Sequence, residues 1–428
     1  MTQTPKLSPR RVYITADANE DHLCRKRIDA MLGSFDAGSV EVVTEAQLND
    51  LVPETGWRAA RRWGSIPVDE QRDPDIVFTK TLFPDAAGIE ARKTALPNLS
   101  FHDALSHRIF VYREDGEDAW RERMKGTVCQ PGWQLHTMIG CPFRCAYCHL
   151  NGMLRIITNM EEYCEKLAEW VERAPEQRLY KWDNQSDTIF FEPEYDATRL
   201  LVEFFANQPE RYLEIYTGKS DNVDFMLDYD HRGHTILQWS VAAQTQSTVI
   251  EPKTADMAAR IEAARKCQEA GYLVRYRLSP IVPVRNWREE NRELIRLIFE
   301  RTQPDVITLC SFGWMDVDDA RQCVDFDLLD PEFVAAMEAG APFIRERGYT
   351  SGGGRPIPHD ARVTLFTFLI QEIQSISPNQ PIALCLETEE MWQALGPMIG
   401  QTSRNYLCNC GALCTPGWPK YDKMAAAL

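Results

Sequence analysis

Cysteines 141, 145 and 148 lie in the run Ile139-Gly140-Cys141-Pro142-Phe143-Arg144-Cys145-Ala146-Tyr147-Cys148, a C-x3-C-x2-C spacing. Three thiolates on so short a loop suit a soft metal centre and can occupy three corners of a [4Fe–4S] cube. Three ligands for four irons leave one iron open. The amino and carboxylate groups of S-adenosylmethionine (SAM) can bind there, and an electron from the cluster can then break a carbon–sulfur bond of the sulfonium. Zinc is the competing occupant. It usually takes four ligands arranged as C-x2-C pairs, and no partner pair of that spacing lies nearby.

A second thiol group ends the chain: Cys408, Cys410 and Cys414, in the run Arg404–Cys414. Three readings stay open for it: a second Fe–S or metal site, a holder for a thiophilic substrate such as trivalent arsenic, or a terminal stretch of reduced thiols. Trp418 and Pro416–Pro419 favour a packed tail. The remaining seven of the 13 cysteines (Cys24, Cys129, Cys164, Cys267, Cys310, Cys323 and Cys385) stand alone and read as buried small hydrophobes.

The elements that must position these groups form an alternating pattern. Strands are expected at 12–15 and 39–44 around a helix at 21–32, which gives a small N-terminal α/β lobe. From 134 onward the pattern alternates regularly: strands at 134–139, 188–191, 212–217, 235–243, 272–279 and 305–310, with helices at 160–174, 197–207, 222–227, 255–270 and 287–301. Such alternation predicts a parallel sheet, closed or partly closed as a (β/α)6 barrel, with ligands at the C-terminal ends of its strands. The expected layout is an N-terminal lobe and irregular connection over 1–130, a barrel over 131–315, and a C-terminal segment over 316–428 that includes a late strand at 381–386. Arg275 and Arg277 alternate on the fifth strand and point one way, either into the barrel toward an anionic ligand or toward a helix as a paired couple.

Composition bounds the rest. With 44% hydrophobic residues the 428-residue chain can build a large core. No apolar run reaches the length of a membrane span and no signal peptide is visible, so a cytoplasmic enzyme is expected. The 47 basic and 63 acidic residues give a net charge of −16, which counts against nucleic acid as the main partner without excluding a local basic groove.

Beyond the cysteine loop, the chain resembles spore photoproduct lyase and its relatives in the radical SAM superfamily. The resemblance rests on Phe190-Phe191-Glu192-Pro193, Tyr216–Asp224, Gln238–Val241, Ile261–Tyr272, Ser279-Pro280-Ile281 and Leu384–Trp392, and on the front lobe. It implies a partial radical SAM barrel, a [4Fe–4S] cluster and SAM as cofactors, and an electron donor such as flavodoxin or ferredoxin. Tyr147 matches the aromatic position before the third cluster cysteine. Glu192 matches the acceptor of the SAM ammonium, Lys219 and Ser240 match positions on the SAM carboxylate and ribose side, and His149 is expected to line the pocket, while His136 reads as a hydrogen-bonding core residue. Two departures stand out. His149-Leu150-Asn151-Gly152 replaces the usual Tyr-Leu-Gln run. Where the best-known lyases carry a hydrogen-donating cysteine, Tyr195 stands, and no cysteine lies between Cys164 and Cys267. The complete cluster motif with a terminal thiol triad is also similar to what radical SAM enzymes of arsenical-antibiotic (arsinothricin) biosynthesis need, which move the 3-amino-3-carboxypropyl group of SAM onto arsenite. Three functions follow as expectations. The first is a radical SAM transferase acting on a small or inorganic thiophilic acceptor, with Cys408, Cys410 and Cys414 as its substrate ligands. The second is a DNA photoproduct lyase with Tyr195 as the hydrogen donor. The third is a non-catalytic Fe–S or metal-sensing protein.

Overall fold

The computed structural model describes residues 6–57, 61–83, 85–99, 110–113, 127–130, 132–346 and 355–417. Trp418 and Pro419, on which the expectation of a packed tail rests in part, lie outside the described residues.

In chain order the strands are β1 (Arg11–Thr15), β2 (Ser39–Val43), β3 (Asp75–Thr79), β4 (Phe110–Arg113), β5 (Gly132–Leu135), β6 (Met138–Ile139), β7 (Met153–Ile157), β8 (Leu179–Trp182), β9 (Tyr212–Gly218), β10 (Thr235–Val241), β11 (Leu273–Ile281), β12 (Ile307–Ser311) and β13 (Ile382–Leu384). They form two sheets. One has the order β2-β1-β3-β7-β6 and the other β13-β12-β11-β10-β9-β8-β5-β4. In the second sheet every pairing from β5 to β13 is parallel, and only β4 runs against β5. The result is the expected α/β architecture, a curled parallel half-barrel beside a small α/β lobe.

Two features differ from the sequence expectation. The predicted strand 134–139 is divided between the two sheets, because the chain leaves the barrel after β5 and joins the front lobe as β6 and β7. The lobe and the barrel are therefore stitched together by the segment that carries the first cysteine group. The predicted strand 188–191 is a turn, and the second barrel strand is β8, nine residues earlier at its start. The apolar run Thr188-Ile189-Phe190-Phe191 reads as a strand, yet its rings pack edge-on instead: Phe190 against Phe143 and Phe191 against Phe35. The sheet also runs past the predicted boundary at 315, since β13 pairs with β12.

The barrel strands alternate in chemistry as well as in direction. Ile215, Leu237, Trp239, Val274, Tyr276, Leu278 and Leu309 are buried apolar positions in the continuous core. The residues between them, Lys181, Glu214, Gln238, Arg275 and Thr308, are polar and equally buried. Both faces of a parallel sheet are covered, so a polar face implies a lumen with polar contents. Glu214 on β9 and Arg275 on β11 approach to 3.9 Å across the intervening β10, which fixes this face as the concave one.

The C-terminal segment closes the N-terminal end of the barrel. The carbonyl of Ala412 accepts from the amides of Arg178 and Leu179 at the start of β8. Arg275, near the start of β11, donates to the carbonyls of Asn409 (3.1 Å) and Cys414 (2.7 Å). Thr308, at the start of β12, donates to the Asn409 amide oxygen at 2.6 Å. These bonds satisfy the backbone of an irregular segment inside the core, which such a segment needs to be stable there.

Candidate active site

The loop from Cys141 to Cys148 lies between β6 and β7, at the seam of the two sheets. Gly140 precedes it with φ +100°, and a Cβ there would meet the Met153 carbonyl oxygen at 2.1 Å, so the entry to the loop accepts only glycine. The segment 62–64 clamps the other end. Trp63 N donates to Cys148 O (3.0 Å), Gly64 N to Ala146 O (2.8 Å) and the Arg62 guanidinium to Tyr147 O (2.8 Å). Cys148 Sγ also accepts from the amide of Leu150 at 3.4 Å. The three cysteines face one another closely enough that their charges interact. Burial pushes all three thiols up, Cys145 to about 12, and each further thiolate opposes the next. Such a trio is stable as thiolates only around a cation, which is the donor chemistry an iron–sulfur cluster needs.

Around this loop lies a buried charge network. The Tyr147 hydroxyl donates to Glu251 Oε1 at 2.6 Å, Gln246 donates to the same oxygen at 2.9 Å, and Arg260 donates to Glu251 Oε2 at 2.7 Å. Lys219, just beyond β9, places its ammonium 3.9 Å from Glu251 and 5.9 Å from the centre of the Tyr147 ring. Burial would raise the Glu251 carboxyl, but Lys219, Arg260 and the Tyr147 hydroxyl outweigh it and hold it below the ordinary range. Asp187, in the loop after β8, accepts from the amides of Lys219 (2.7 Å) and Ser220 (3.1 Å) with Oδ2. The approach is close enough that a Cβ on Gly218 would meet that oxygen at 2.4 Å. The other oxygen of Asp187, and the hydroxyl of Ser186, are buried with no hydrogen-bond partner among the described residues. Burial lifts the Asp187 carboxyl to about 7, against the pull of those two amides. Buried polar atoms are nearly always bonded, so two orphans beside a lysine and three thiols mark a place for a polar ligand. Asp187 and Ser186 were not picked out by the sequence, because the strand that sets their position was placed too late; Glu251, after β10, stands in no motif that would single it out.

In the structure Glu192 has a capping role. Its carboxylate accepts from the amides of Asp196 (2.9 Å) and Thr198 (2.8 Å) and from the Thr198 hydroxyl (2.9 Å), so it caps the helix Ala197–Ala206. Burial raises this carboxyl to about 7, above its usual value near 4.5. Glu192→Ala should therefore cost about 1–2 kcal/mol by loss of the cap. The raised carboxyl binds a proton in the folded chain that the unfolded chain has released between about pH 4.5 and 7. Its contribution is present in full below that window and shrinks as pH rises through it. The gap in melting temperature between wild type and Glu192→Ala is expected to be larger at pH 5 than at pH 8.

Tyr195 is also placed away from the site. Its hydroxyl lies 2.8 Å from the Ile157 carbonyl and 3.4 Å from that of Thr137, fully buried between β7 and the helix Met160–Arg173. With its hydrogen donated to a backbone carbonyl, it is a packing residue and not the expected hydrogen donor. Tyr195→Phe is expected to lower stability by about 1 kcal/mol, the worth of one such bond, while turnover stays within twofold of wild type. His149 is exposed at the end of the cysteine loop, in contrast to the expected pocket lining. Ser240 sits on the lumen face of β10 opposite Arg277, with its carbonyl held by Arg260 at 3.0 Å. His136 is a core residue, as expected, bonded at 2.8 Å to Asp183, whose carboxylate also gathers the amides of Thr137, Met138, Asn184 and Gln185.

The second cysteine group is inside the barrel. Cys408 and Cys414 have their sulfurs 4.0 Å apart, and Cys414 Sγ accepts from the amide of Cys408 at 3.3 Å. Cys410 lies close enough to Glu214, Tyr216 and Cys385 to raise each of them electrostatically. Arg277 points into the same space, with Nη2 at 3.1 Å from Cys385 Sγ and 3.6 Å from Cys310 Sγ. Both strand arginines therefore face the lumen. Arg275 is paired there with Asp305 (2.7 Å) and the tail, and Arg277 with thiols. Five of the 13 cysteines thus meet within the barrel, two of them residues that the sequence left isolated.

Residues 129–316 match the family model described as Spore photoproduct lyase. The chain is similar to the spore photoproduct lyase of Bacillus subtilis, 29% identical over 231 residues that cover 51% of this chain and 67% of that protein. It is also similar to that of Clostridium acetobutylicum, 25% identical over 185 residues that cover 41% of this chain and 55% of that protein. The aligned stretches thus span about half to two thirds of these relatives. Among solved structures, a Cys-to-Ser mutant of spore photoproduct lyase matches with a TM-score of 0.60 at 17% identity, covering 89% of this chain and 99% of that one. A mutant with bound AdoMet and dinucleoside spore photoproduct matches with a TM-score of 0.57, also at 17% identity and with the same coverage. At such identity these structures bear on the fold, which is the same curled half-barrel.

Proposed function

We infer that this chain, whose residues 129–316 go with the spore photoproduct lyase family of the radical SAM superfamily, is a radical SAM enzyme. The observation that carries the reading is the gathering of three neighbouring thiols (Cys145 buried, Cys141 and Cys148 half-buried), the Lys219 ammonium and the orphaned oxygens of Asp187 and Ser186 at the C-terminal ends of β8 and β9. Their chemistry fits the cofactors. Cys141, Cys145 and Cys148 would hold a [4Fe–4S] cluster, Lys219 would meet the carboxylate of SAM, and Asp187 with Ser186 would accept from its ammonium. Bound there, the pair supplies one chemistry, reductive cleavage of a carbon–sulfur bond of the sulfonium, with the electron coming from a donor such as flavodoxin or ferredoxin. The protein's part is to hold and orient. Glu251 fixes the Lys219 ammonium and the Tyr147 ring together, and Arg260 keeps Glu251 charged. A bystander iron–sulfur protein has no use for such an arrangement. Asp187→Asn is expected to weaken SAM binding about 10- to 100-fold, the worth of one charge-assisted bond, while the iron content of the loaded protein is unchanged. Equal SAM affinity in the variant would remove Asp187 from the site.

The acceptor proposed for this enzyme is a small thiophilic species in the lumen, with trivalent arsenic (arsenite) taking the 3-amino-3-carboxypropyl group of SAM. Its support is the thiol-rich lumen beneath the SAM site, with Cys408, Cys410 and Cys414 at its floor. A second reading, repair of a DNA photoproduct, is favoured by the names of the relatives. Against it stand the net charge of −16 and a span from Cys164 to Cys267 free of cysteine. Product analysis with arsenite and with irradiated DNA separates the two: an arsenic–carbon product supports the first, and restored thymines support the second.

A further inference from the structure

Cys310 and Cys385, apart in sequence, are neighbours in the lumen. Leu309 on β12 pairs with Leu384 on β13, which sets the next residue of each strand side by side, and the Cys385 amide donates to the Leu309 carbonyl at 2.8 Å. Their thiols face one guanidinium, with Arg277 Nη2 at 3.1 Å from Cys385 Sγ and 3.6 Å from Cys310 Sγ. Cys385 and the charge of Arg277 pull the Cys310 thiol below the ordinary thiol range. Gln238 lies on the lumen face of β10, one step along from Ser240, the partner of Arg277. Both polar atoms of its fully buried amide lack a partner among the described residues, and so does Arg277 Nε. An amide buried without partners is costly unless something polar enters the chamber.

We propose that Cys310, Cys385, Arg277 and Gln238 form a binding site for the oxyacid of a soft trivalent metalloid, bonded to both sulfurs, with its remaining oxygen held by Arg277 and Gln238. The ligand class rests on the thiophilic-acceptor reading given above; the site itself does not use the terminal triad. Each group has a matching part of the ligand. Thiolates favour a soft centre, and a guanidinium and an amide favour oxygen. Phosphate would leave the thiols without a role, and zinc would seek four ligands. With arsenious acid, As(OH)3, two As–S bonds form and two As–O bonds break. The two thiol protons leave with the two hydroxyls as water, and arsenic stays trivalent.

The test uses reduced, cluster-loaded protein under anaerobic conditions, with phenylarsine oxide as the dithiol probe and intact mass as the readout. A background variant carrying Cys408→Ser, Cys410→Ser and Cys414→Ser is expected to retain one equivalent. Adding Cys310→Ser and Cys385→Ser should abolish it. Arg277→Gln, which leaves both thiols, should weaken arsenite binding about tenfold. In the wild-type chain, where folding is not in question, the probe should protect Cys310 and Cys385 from alkylation as read by peptide mapping. A background variant that binds no probe, retention of one equivalent after both further serines, or unchanged alkylation of the two cysteines would each overturn the site. Nucleoside release from SAM reports separately on the radical SAM reading: release without probe binding sinks this site alone, and probe binding without release sinks that reading alone.

Discussion

Cys148→Ser is expected to remove the visible absorbance of the reconstituted cluster and to cut nucleoside release from SAM about a thousandfold, equivalent to roughly 4 kcal/mol of lost barrier reduction. The size follows from the loop's design. Three closely set thiols, of which Cys145 and Cys148 oppose the ionisation of Cys141, make a strong site only as a set. Hydroxyl in place of one leaves a harder, weaker ligand at a corner that no other described cysteine reaches. The fold should survive, because the contacts that hold the loop are made by backbone: Cys148 O to Trp63, Ala146 O to Gly64 and Ala146 N to Ile250. Iron content together with the thermal melt checks both halves. Full activity with a normal cluster spectrum would show that the cluster is held elsewhere.

The second large effect is expected at the barrel floor. Replacing Cys408, Cys410 and Cys414 together by Ser should lower arsenite affinity at the floor more than a hundredfold, at least about 2.7 kcal/mol by the usual conversion. SAM cleavage without acceptor should remain within a few-fold of wild type. The separation is possible because the tail is anchored by groups the substitutions leave intact: the carbonyls of Asn409, Ala412 and Cys414 and the side chain of Asn409. Stability is accordingly expected to change by no more than about 1–2 kcal/mol. Equilibrium binding of arsenite in parallel with a product assay measures the two effects. Equal loss of both activities would mean that the triad supports the whole barrel and not an acceptor.

The cysteine spacing made the cluster loop legible, since its chemistry is local and depends on nothing beyond a turn that only Gly140 permits. The later barrel strands were legible too, because β9 to β12 carry alternating or near-continuous apolar runs bounded by turn residues. What failed was β8. Its four residues Leu179-Tyr180-Lys181-Trp182 carry a buried lysine aimed at the lumen, where its ammonium lies 5.0 Å from the centre of the Tyr216 ring, so its pattern is not that of a hydrophobic strand. The following apolar run outcompeted it, and a short apolar run does not declare its own conformation. The misplaced strand hid Asp187 and Ser186, while Glu192 and Tyr195 were singled out from the resemblance, whose matched positions carry no information on contacts. The lumen site was invisible for a different reason. Arg277, Cys310 and Cys385 are joined only by the pairing of β11, β12 and β13, which no local spacing encodes.

The central claim, a radical SAM enzyme with a thiophilic acceptor, is tested most directly by the nucleoside it makes. Cluster-loaded protein is incubated anaerobically with SAM, dithionite and arsenite, and the products are separated by chromatography with mass detection. The predicted result is 5′-methylthioadenosine formed in step with an arsenic-bound 3-amino-3-carboxypropyl product. Formation of 5′-deoxyadenosine, with repair of irradiated DNA, would contradict the acceptor assignment, and release of neither nucleoside would contradict the radical SAM reading itself.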